Sequence, residues 1–334
     1  MSLVIHIGLR KTGTTYLQQV LAQNRGPLAE RGLLYPDPAS GLAAGSGPAH
    51  HFLAHALRNW RVKYTPADPF DRLEAHVAAL RAELADHAGT GVLSSEDFSR
   101  LNGKQITALR TLFPERDVRI LVYLRRQDQW LDALYGQVLK VGRQVEMDSF
   151  IARNRARLDY AALLDPWAQA FGAENLIVRP YEGFEEGGLW EDFCTALDCP
   201  AAAALPLTDA QVNVSLSYEA GMFLASVSDG ARRQRLRQLL EEGEAATPRR
   251  PVLKYLKAEQ ARTLLADHAD SNAEIARRYL GRDRLFADTR PLPQYRRRPA
   301  VLRHAVVAGH LLRGLLATRR GRRMRPDDSS HNGG

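Results

Sequence analysis

Leu3-Val4-Ile5-His6-Ile7-Gly8-Leu9-Arg10-Lys11-Thr12-Gly13-Thr14-Thr15-Tyr16-Leu17-Gln18 is the stretch whose reading decides the fold. Leu3–Ile7 is short and apolar, as in a strand, and a turn with two glycines follows. The spacing predicts a helix leaving at Thr14 or Thr15. The first amides of such a helix have no partner inside it, and its dipole favours an anion there. Gly8, Gly13, Thr14 and Thr15 nearly reproduce the phosphate-cradle pattern G-x-x-x-x-G-K-[ST]. The cation departs from it: Lys11 stands before the second glycine, and Thr14 takes the usual lysine position. The plainer alternative is an ordinary strand–turn–helix with Lys11 as a solvated charge.

Working outward, strand patterns recur at Leu33–Tyr35, Gly91–Ser94, Val118–Leu124 and Leu176–Arg179, each short, apolar and often β-branched. Such runs suit strands covered on both faces. Helical patterns lie between them at Thr15–Asn24, Asp71–His87, Arg126–Val141 and Tyr160–Phe171. The alternation predicts an α/β fold with a P-loop-like parallel sheet flanked by helices. Pro36–Ala49 reads as a long loop near the carboxyl edge of that sheet, where sites tend to form. After an alanine-rich linker, Cys199–Leu205, strand signals stop. Ser217–Val227, Ala231–Gly243, Lys257–His268 and Ser271–Leu280 then predict a helical C-terminal part. The expected domains are 1–290, with an α/β core over 1–200 and helices over 206–285, followed by a basic tail, 291–334.

Composition narrows the class. The 334 residues are 45% hydrophobic and 25% charged, ordinary for a globular chain with a full core. The formal charge of +8 is uneven: residues 291–334 hold ten arginines and two aspartates, which leaves 36 basic and 36 acidic residues in the rest. Two cysteines, Cys194 and Cys199, make no disulfide framework and suit a reducing compartment such as the cytoplasm. Cys194 follows Trp190 and Phe193 at helical spacing and reads as core. The first residues form a strand pattern rather than a leader, and no apolar run is long enough to span a bilayer.

Two further segments carry chemistry. Val122-Tyr123-Leu124-Arg125-Arg126 ends a strand on an arginine and opens an amphipathic helix. Arg125 there can offer a forked donor set to a phosphate, although both arginines also suit solvated charges at a helix start. Gly91-Val92-Leu93-Ser94-Ser95-Glu96-Asp97 ends a strand on two serines and two carboxylates. Glu96 is a candidate base, and the same residues equally suit a capped helix start. His50 and His51, expected in a loop, are the rival pair, with His51 the alternative base candidate, because an unperturbed histidine side chain changes charge near neutrality. No third ligand stands at metal spacing near them, so no metal is expected.

The loop Lys11-Thr12-Gly13-Thr14-Thr15 and the strand-end Arg125 resemble the two cofactor segments of sulfotransferases that use PAPS (3′-phosphoadenosine 5′-phosphosulfate), in the bacterial branch acting on carbohydrates. The likeness covers roughly residues 1–285 and includes Leu176–Glu182 with the Phe193 helix. It implies a cofactor site of Arg10, Lys11, Thr12, Gly13, Thr14 and Thr15 for the 5′-phosphosulfate, with Arg125 for the 3′-phosphate. It also implies Lys11 and Glu96 in catalysis, with His51 kept as the rival base from its own chemistry. The family places a serine eight residues after the arginine, where this chain has Ala133, so one hydroxyl contact is missing. The implied acceptor is a hydroxyl of a glycan or glycolipid, and no nucleic acid partner is expected. A non-catalytic protein binding PAP or polyanions is the alternative that Ala133 favours. A P-loop kinase lacks its lysine after Gly13 and its strand-end aspartate. In the tail, leucines and valines alternate with arginines over 299–325, as in a helix lying on an anionic membrane, docking on the protein or remaining solvated.

Overall fold

Leu3, Ile5 and Ile7 face one way along the first strand and Val4 the other, and all four are fully buried. A strand with period-two side chains can bury both sets only inside a sheet covered on both faces. The computed structural model, which describes residues 2–42, 47–58, 70–114, 116–184, 188–207, 216–246, 255–287, 305–313 and 315, has that arrangement. In chain order its elements are β1 (Ser2–His6), α1 (Thr14–Gln23), α2 (Arg25–Ala29), β2 (Leu33–Leu34), α3 (His51–Leu57), α4 (Phe70–Ala85) and β3 (Thr90–Ser94). Then follow α5 (Gly103–Thr111), β4 (Asp117–Leu124), α6 (Gln127–Lys140), α7 (Met147–Asn154), α8 (Tyr160–Phe171), β5 (Leu176–Pro180), α9 (Leu189–Ala196) and α10 (Pro200–Ala203). The last are α11 (Tyr218–Ser226), α12 (Gly230–Ala245), α13 (Ala258–Asp267) and α14 (Ala269–Ile275).

The five strands form one parallel sheet in the order β2-β3-β1-β4-β5. Leu3, Ile5, Ile7, Ile120 and Val122 pack on one face against Leu53 of α3, Leu80 of α4, Ile106 of α5 and Trp167 of α8. Val4, Val92, Leu121 and Tyr123 pack on the other against Leu17 and Val20 of α1 and Trp190 and Phe193 of α9. At about 25 cal/mol per Å² of apolar surface, this two-sided burial is the main stabilising contribution. Because the central strands are parallel, β1, β3 and β4 all end at one edge, where the glycine loop, Ser94 and Arg125 meet.

Two expectations change. The Cys199–Leu205 linker contains α10: Ala202 is fully buried and its carbonyl accepts from Trp190 Nε1 at 3.3 Å, so packing makes a helix of an alanine run. His51 opens α3 rather than sitting in a loop. Cys194 is core as expected, and burial pushes its thiol up to about 12, with Cys199 and Glu191 adding to the shift. Part of the Pro36–Ala49 loop, 43–46, lies outside the described residues. Its start is pinned by Glu83, which accepts from Asp37 N at 3.0 Å and Arg25 at 2.8 Å.

The chain divides into two compact units, each discontinuous in sequence. The first is Met1–Arg126, Ala156–Val212 and Asp267–Thr289, and it holds the sheet. The second is Gln127–Arg155, Asn213–Ala266 and Arg290–Gly334. Within the second, Asp132 of α6 accepts from the amides of Tyr255 (2.6 Å) and Leu256 (3.1 Å), and Lys140 pairs with Glu241 at 2.9 Å. A helix over 305–313 buries Val307 beside Leu216, Ala220, Leu224 and Leu240, while His310 Nε2 lies 3.4 Å from Glu244. Leu312 and Leu315 stay outside, 60% and 48% exposed. The rest of the 299–325 stripe lies outside the described residues. Among the described residues no helix is long and apolar enough to cross a membrane.

Candidate functional site

The turn after β1 is held by the sheet on one side. Leu9 N donates to Tyr123 O at 3.2 Å, Tyr123 N donates to Gly8 O at 2.7 Å, and Thr12 Oγ1 donates to Leu9 O at 2.6 Å. Gly8, Lys11 and Gly13 adopt φ of 99°, 67° and 76°. For Lys11 this left-handed geometry is a strained state of the kind that persists at ligand-binding loops. Gly13 takes the N-cap position of α1, and having no side chain it supplies no acceptor to the first-turn amides. The helix start expected at Thr14 is therefore present, with an amide end suited to an anion.

Arg125, at the end of β4, donates from Nη1 to Lys11 O at 2.9 Å and lies over the Tyr181 ring at 5.4 Å. It is thus fixed to the loop it was expected to work with. Arg126 is 8% exposed, so it is not the solvated helix-start charge that its position also allowed. Ala133 belongs to α6, in the second unit.

On the other side of β1, the end of β3 delivers four polar residues. Gly8 is in close approach to Glu96: a Cβ added there would stand 3.0 Å from Glu96 Cβ. Gln18 of α1, 3% exposed, donates through Nε2 to Glu96 Oε2 and to Ser94 Oγ, both at 3.2 Å. His51 Nε2 lies 3.9 Å from Glu96 Oε2, and its Nδ1 is 2.8 Å from Ser95 Oγ. The two rival base candidates are therefore neighbours on one side of the glycine loop. Gln18 was not singled out in the sequence. The signal available was its helical spacing from Thr14, four residues on, the same face that carries Leu17 and Leu21 inward.

The adjacent histidines separate. His50 is fully buried; its Nδ1 accepts from Ser94 N at 3.2 Å, and its own N donates to Ser94 O at 2.8 Å. Burial, then His76, pushes its imidazole down to about 3, so it is a neutral strut rather than a base. Burial does the same to His6, also down to about 3, where Ser94 Oγ lies 2.9 Å from Nδ1.

Asp97 is the hub beside the pair. Its side chain is 4% exposed, with His55 Nε2 at 3.0 Å, Arg10 at 3.3 Å, Arg100 at 3.6 Å and His51 Nδ1 at 3.7 Å. Burial alone would raise its carboxyl. The His55 hydrogen bond and the charges of Arg10, His51 and His55 outweigh that and hold it well below the usual carboxylate range. The helix-start alternative for this segment is partly realised: Ser95 Oγ accepts from Asp97 N at 3.2 Å and a 3₁₀ turn, Phe98–Arg100, follows, while the Asp97 carboxylate caps no amide and faces the cations.

No family model matches the chain. An "Uncharacterized protein" of Archaeoglobus fulgidus is 30% identical over 210 residues, 58% of this chain and 55% of that protein, so the chain spans about half the length of that relative. Among solved structures, a sulfotransferase from Alicyclobacillus acidocaldarius aligns with a TM-score of 0.42 and 15% identity, over 64% of this chain and 86% of that one. Mouse sulfotransferase SULT7A1 complexed with PAP aligns with a TM-score of 0.36 and 12% identity, over 83% and 85%. Likeness at that level carries no chemistry across.

Proposed function

We propose that the chain is a sulfotransferase moving a sulfuryl group from PAPS to a hydroxyl of an acceptor, a carbohydrate or glycoconjugate. The observation that carries the reading is a convergence at the end of β1. A strained, glycine-bounded turn and an amide-exposing helix start lie against Glu96, which has His51 3.9 Å away. Together they match the two demands of in-line group transfer: charge stabilisation at a departing phosphate and a base for an incoming hydroxyl.

The residues present fit the donor. Two left-handed residues, Lys11 and Gly13, give the loop the character of a backbone anion nest, and Arg125 is tethered beside it. Amides of Thr12 to Thr15 would hold the 5′-phosphate, and Arg125 the 3′-phosphate. Lys11 would stabilise charge on the departing phosphate, and Arg10 would support the loop through Asp97. Glu96, held by Gln18, would take the acceptor proton with His51 as its partner. Positioning and electrostatics supply the chemistry, so the scheme asks for no metal.

The test is ligand-induced stabilisation. A ligand that binds only the native state raises the melting temperature by mass action, about 2.7 kcal/mol at a hundred times Kd. PAP without metal is expected to raise it, and ATP with magnesium to leave it nearly unchanged. Stabilisation by ATP–magnesium and none by PAP rejects the reading.

A further inference from the structure

Exposed apolar side chains fall in one of the two units. Among the described residues, the large hydrophobics left in solvent are Val141, Met222, Leu312 and Leu315, and all four belong to the second unit. Leu312 stands on the helix over 305–313, and Leu315, two residues beyond it, is helical too. That helix is apolar on two sides. Val307 is buried in one cluster with Ala220 and Leu224 of α11 and Leu240 of α12, and Gly243 of α12 is bare where the His310 carbonyl approaches. Ala305, Ala308, Leu312 and Leu315 are exposed, at steps of three, four and three residues, which is a second stripe of the same helix.

Docking within the unit uses only the Val307 side. A helix apolar all round belongs in a core or in lipid, and this one has a core on one side. Docking also forms the helix before any partner arrives, whereas one so short would be marginal alone in water. Charge decides what the outer stripe meets. Residues 291–334 hold ten arginines and two aspartates, a local +8, while the rest of the chain has 36 basic and 36 acidic residues. A second copy would bring the same excess charge to the same stripe and be repelled. A nucleic acid would take the arginines and leave the leucines in water. An anionic bilayer surface takes both, the apolar stripe at the edge of the acyl chains and the guanidinium groups among the headgroups. No helix among the described residues is long and apolar enough to cross a membrane, so the contact is one of lying on it.

We infer that the stripe of Ala305, Ala308, Leu312 and Leu315, with the arginines that flank it in sequence, is a docking surface for an anionic lipid membrane. Leu312 and Leu315 enter the boundary between headgroups and acyl chains, and Arg319, Arg320, Arg322, Arg323 and Arg325 add attraction to the negative headgroups. Two weak signals of different kinds together give reversible anchoring that neither gives alone. The inference does not depend on what the site at the sheet edge transfers.

The test is flotation of the full chain with vesicles at about 0.1 M salt, where surface charges still act over roughly 10 Å. One set is phosphatidylcholine alone, and the other contains about 30% phosphatidylserine. The protein is expected to float with the second set and to bind the first at least about tenfold more weakly. Leu312→Gln with Leu315→Gln should weaken binding to the anionic vesicles at least about tenfold. Its melting temperature should not change, because both side chains are exposed. Replacing the five arginines from Arg319 to Arg325 by Gln should remove most of the preference for phosphatidylserine. A separate Leu312→Trp variant reads the contact without removing it. On anionic vesicles its emission should shift to the blue and be quenched by brominated acyl chains, beyond any change in the parent protein's own tryptophans. Equal flotation of the leucine variant and the parent overturns the inference and leaves adsorption by arginines alone. Equal binding to the two vesicle sets overturns it, as does a Leu312→Trp emission that the vesicles leave unchanged. A parent protein that binds neither set, and sediments as a dimer that the leucine variant splits, overturns it and assigns the stripe to a second copy.

Discussion

Lys11 holds φ at 67°, a conformation that costs a residue with a side chain about 1–2 kcal/mol. A lysine kept at such a position argues that its ammonium group is used, because glycine would take the same backbone shape without that cost. Two substitutions separate the charge from the strain. Lys11→Ala and Lys11→Gly should each lower turnover by about two to three orders of magnitude, the usual value of one transition-state contact. In urea denaturation, Lys11→Gly should be more stable than Lys11→Ala by about 1 kcal/mol. Unchanged turnover removes Lys11 from the mechanism, and a less stable glycine variant contradicts the left-handed geometry. At this scale the sequence was informative about residue type and poor about neighbours. Glu96 and His51 stood out as alternatives, yet nothing in a string of residues places positions 45 apart within 3.9 Å. His50 looked equivalent to His51 until burial and the Ser94 contacts separated them.

Helix α12 has a glycine, Gly243, at a buried interior position, where alanine would favour the helix by about 1 kcal/mol. The reason lies in the partner element: a Cβ at Gly243 would stand 2.0 Å from the His310 carbonyl oxygen of the helix over 305–313. Gly243→Ala must therefore displace that helix even as it improves α12 locally. Expected are faster trypsin cleavage at Arg313 and a lower melting temperature; protection equal to the parent protein would mean the helix is not seated there. The same contrast between local and partner-imposed structure governs legibility. All five strands were readable, because two-sided burial demands short apolar β-branched runs. Helix α5 was not anticipated, although its Asn102 and Gln105 form a capping box that spacing alone could have suggested. Helix α3 carries no such signal: His50 caps it without a side-chain bond, and its start is fixed by pairing with Ser94 across the sheet edge. Nor does any composition shift mark that α6 and α7 group with 213–266 rather than with the strand before them.

For the molecule as a whole, acid sensitivity follows from where its histidines lie. His6 and His50 are fully buried, and both imidazoles are pushed down to about 3; His76, also fully buried, is lowered chiefly by burial. In the unfolded chain each returns to its ordinary value near 6.5. The unfolded state therefore takes up protons that the native state refuses as pH falls below about 6.5. Stability drops from that point downward, by about 1.4 kcal/mol per pH unit for each such histidine. Asp97 works at a lower pH: its depressed carboxyl contributes stability above the ordinary carboxylate range, lost only as pH falls below it. Between pH 6.5 and 5 the histidines should dominate. Urea denaturation across that window should give a falling unfolding free energy with a slope of about two to three protons. His50→Asn should reduce that slope by about one proton, whatever it does to stability at pH 7. A flat profile from pH 6.5 to 5 would mean that these imidazoles are protonated in the folded protein, and the neutral strut that sets His51 beside Glu96 would then have to be abandoned.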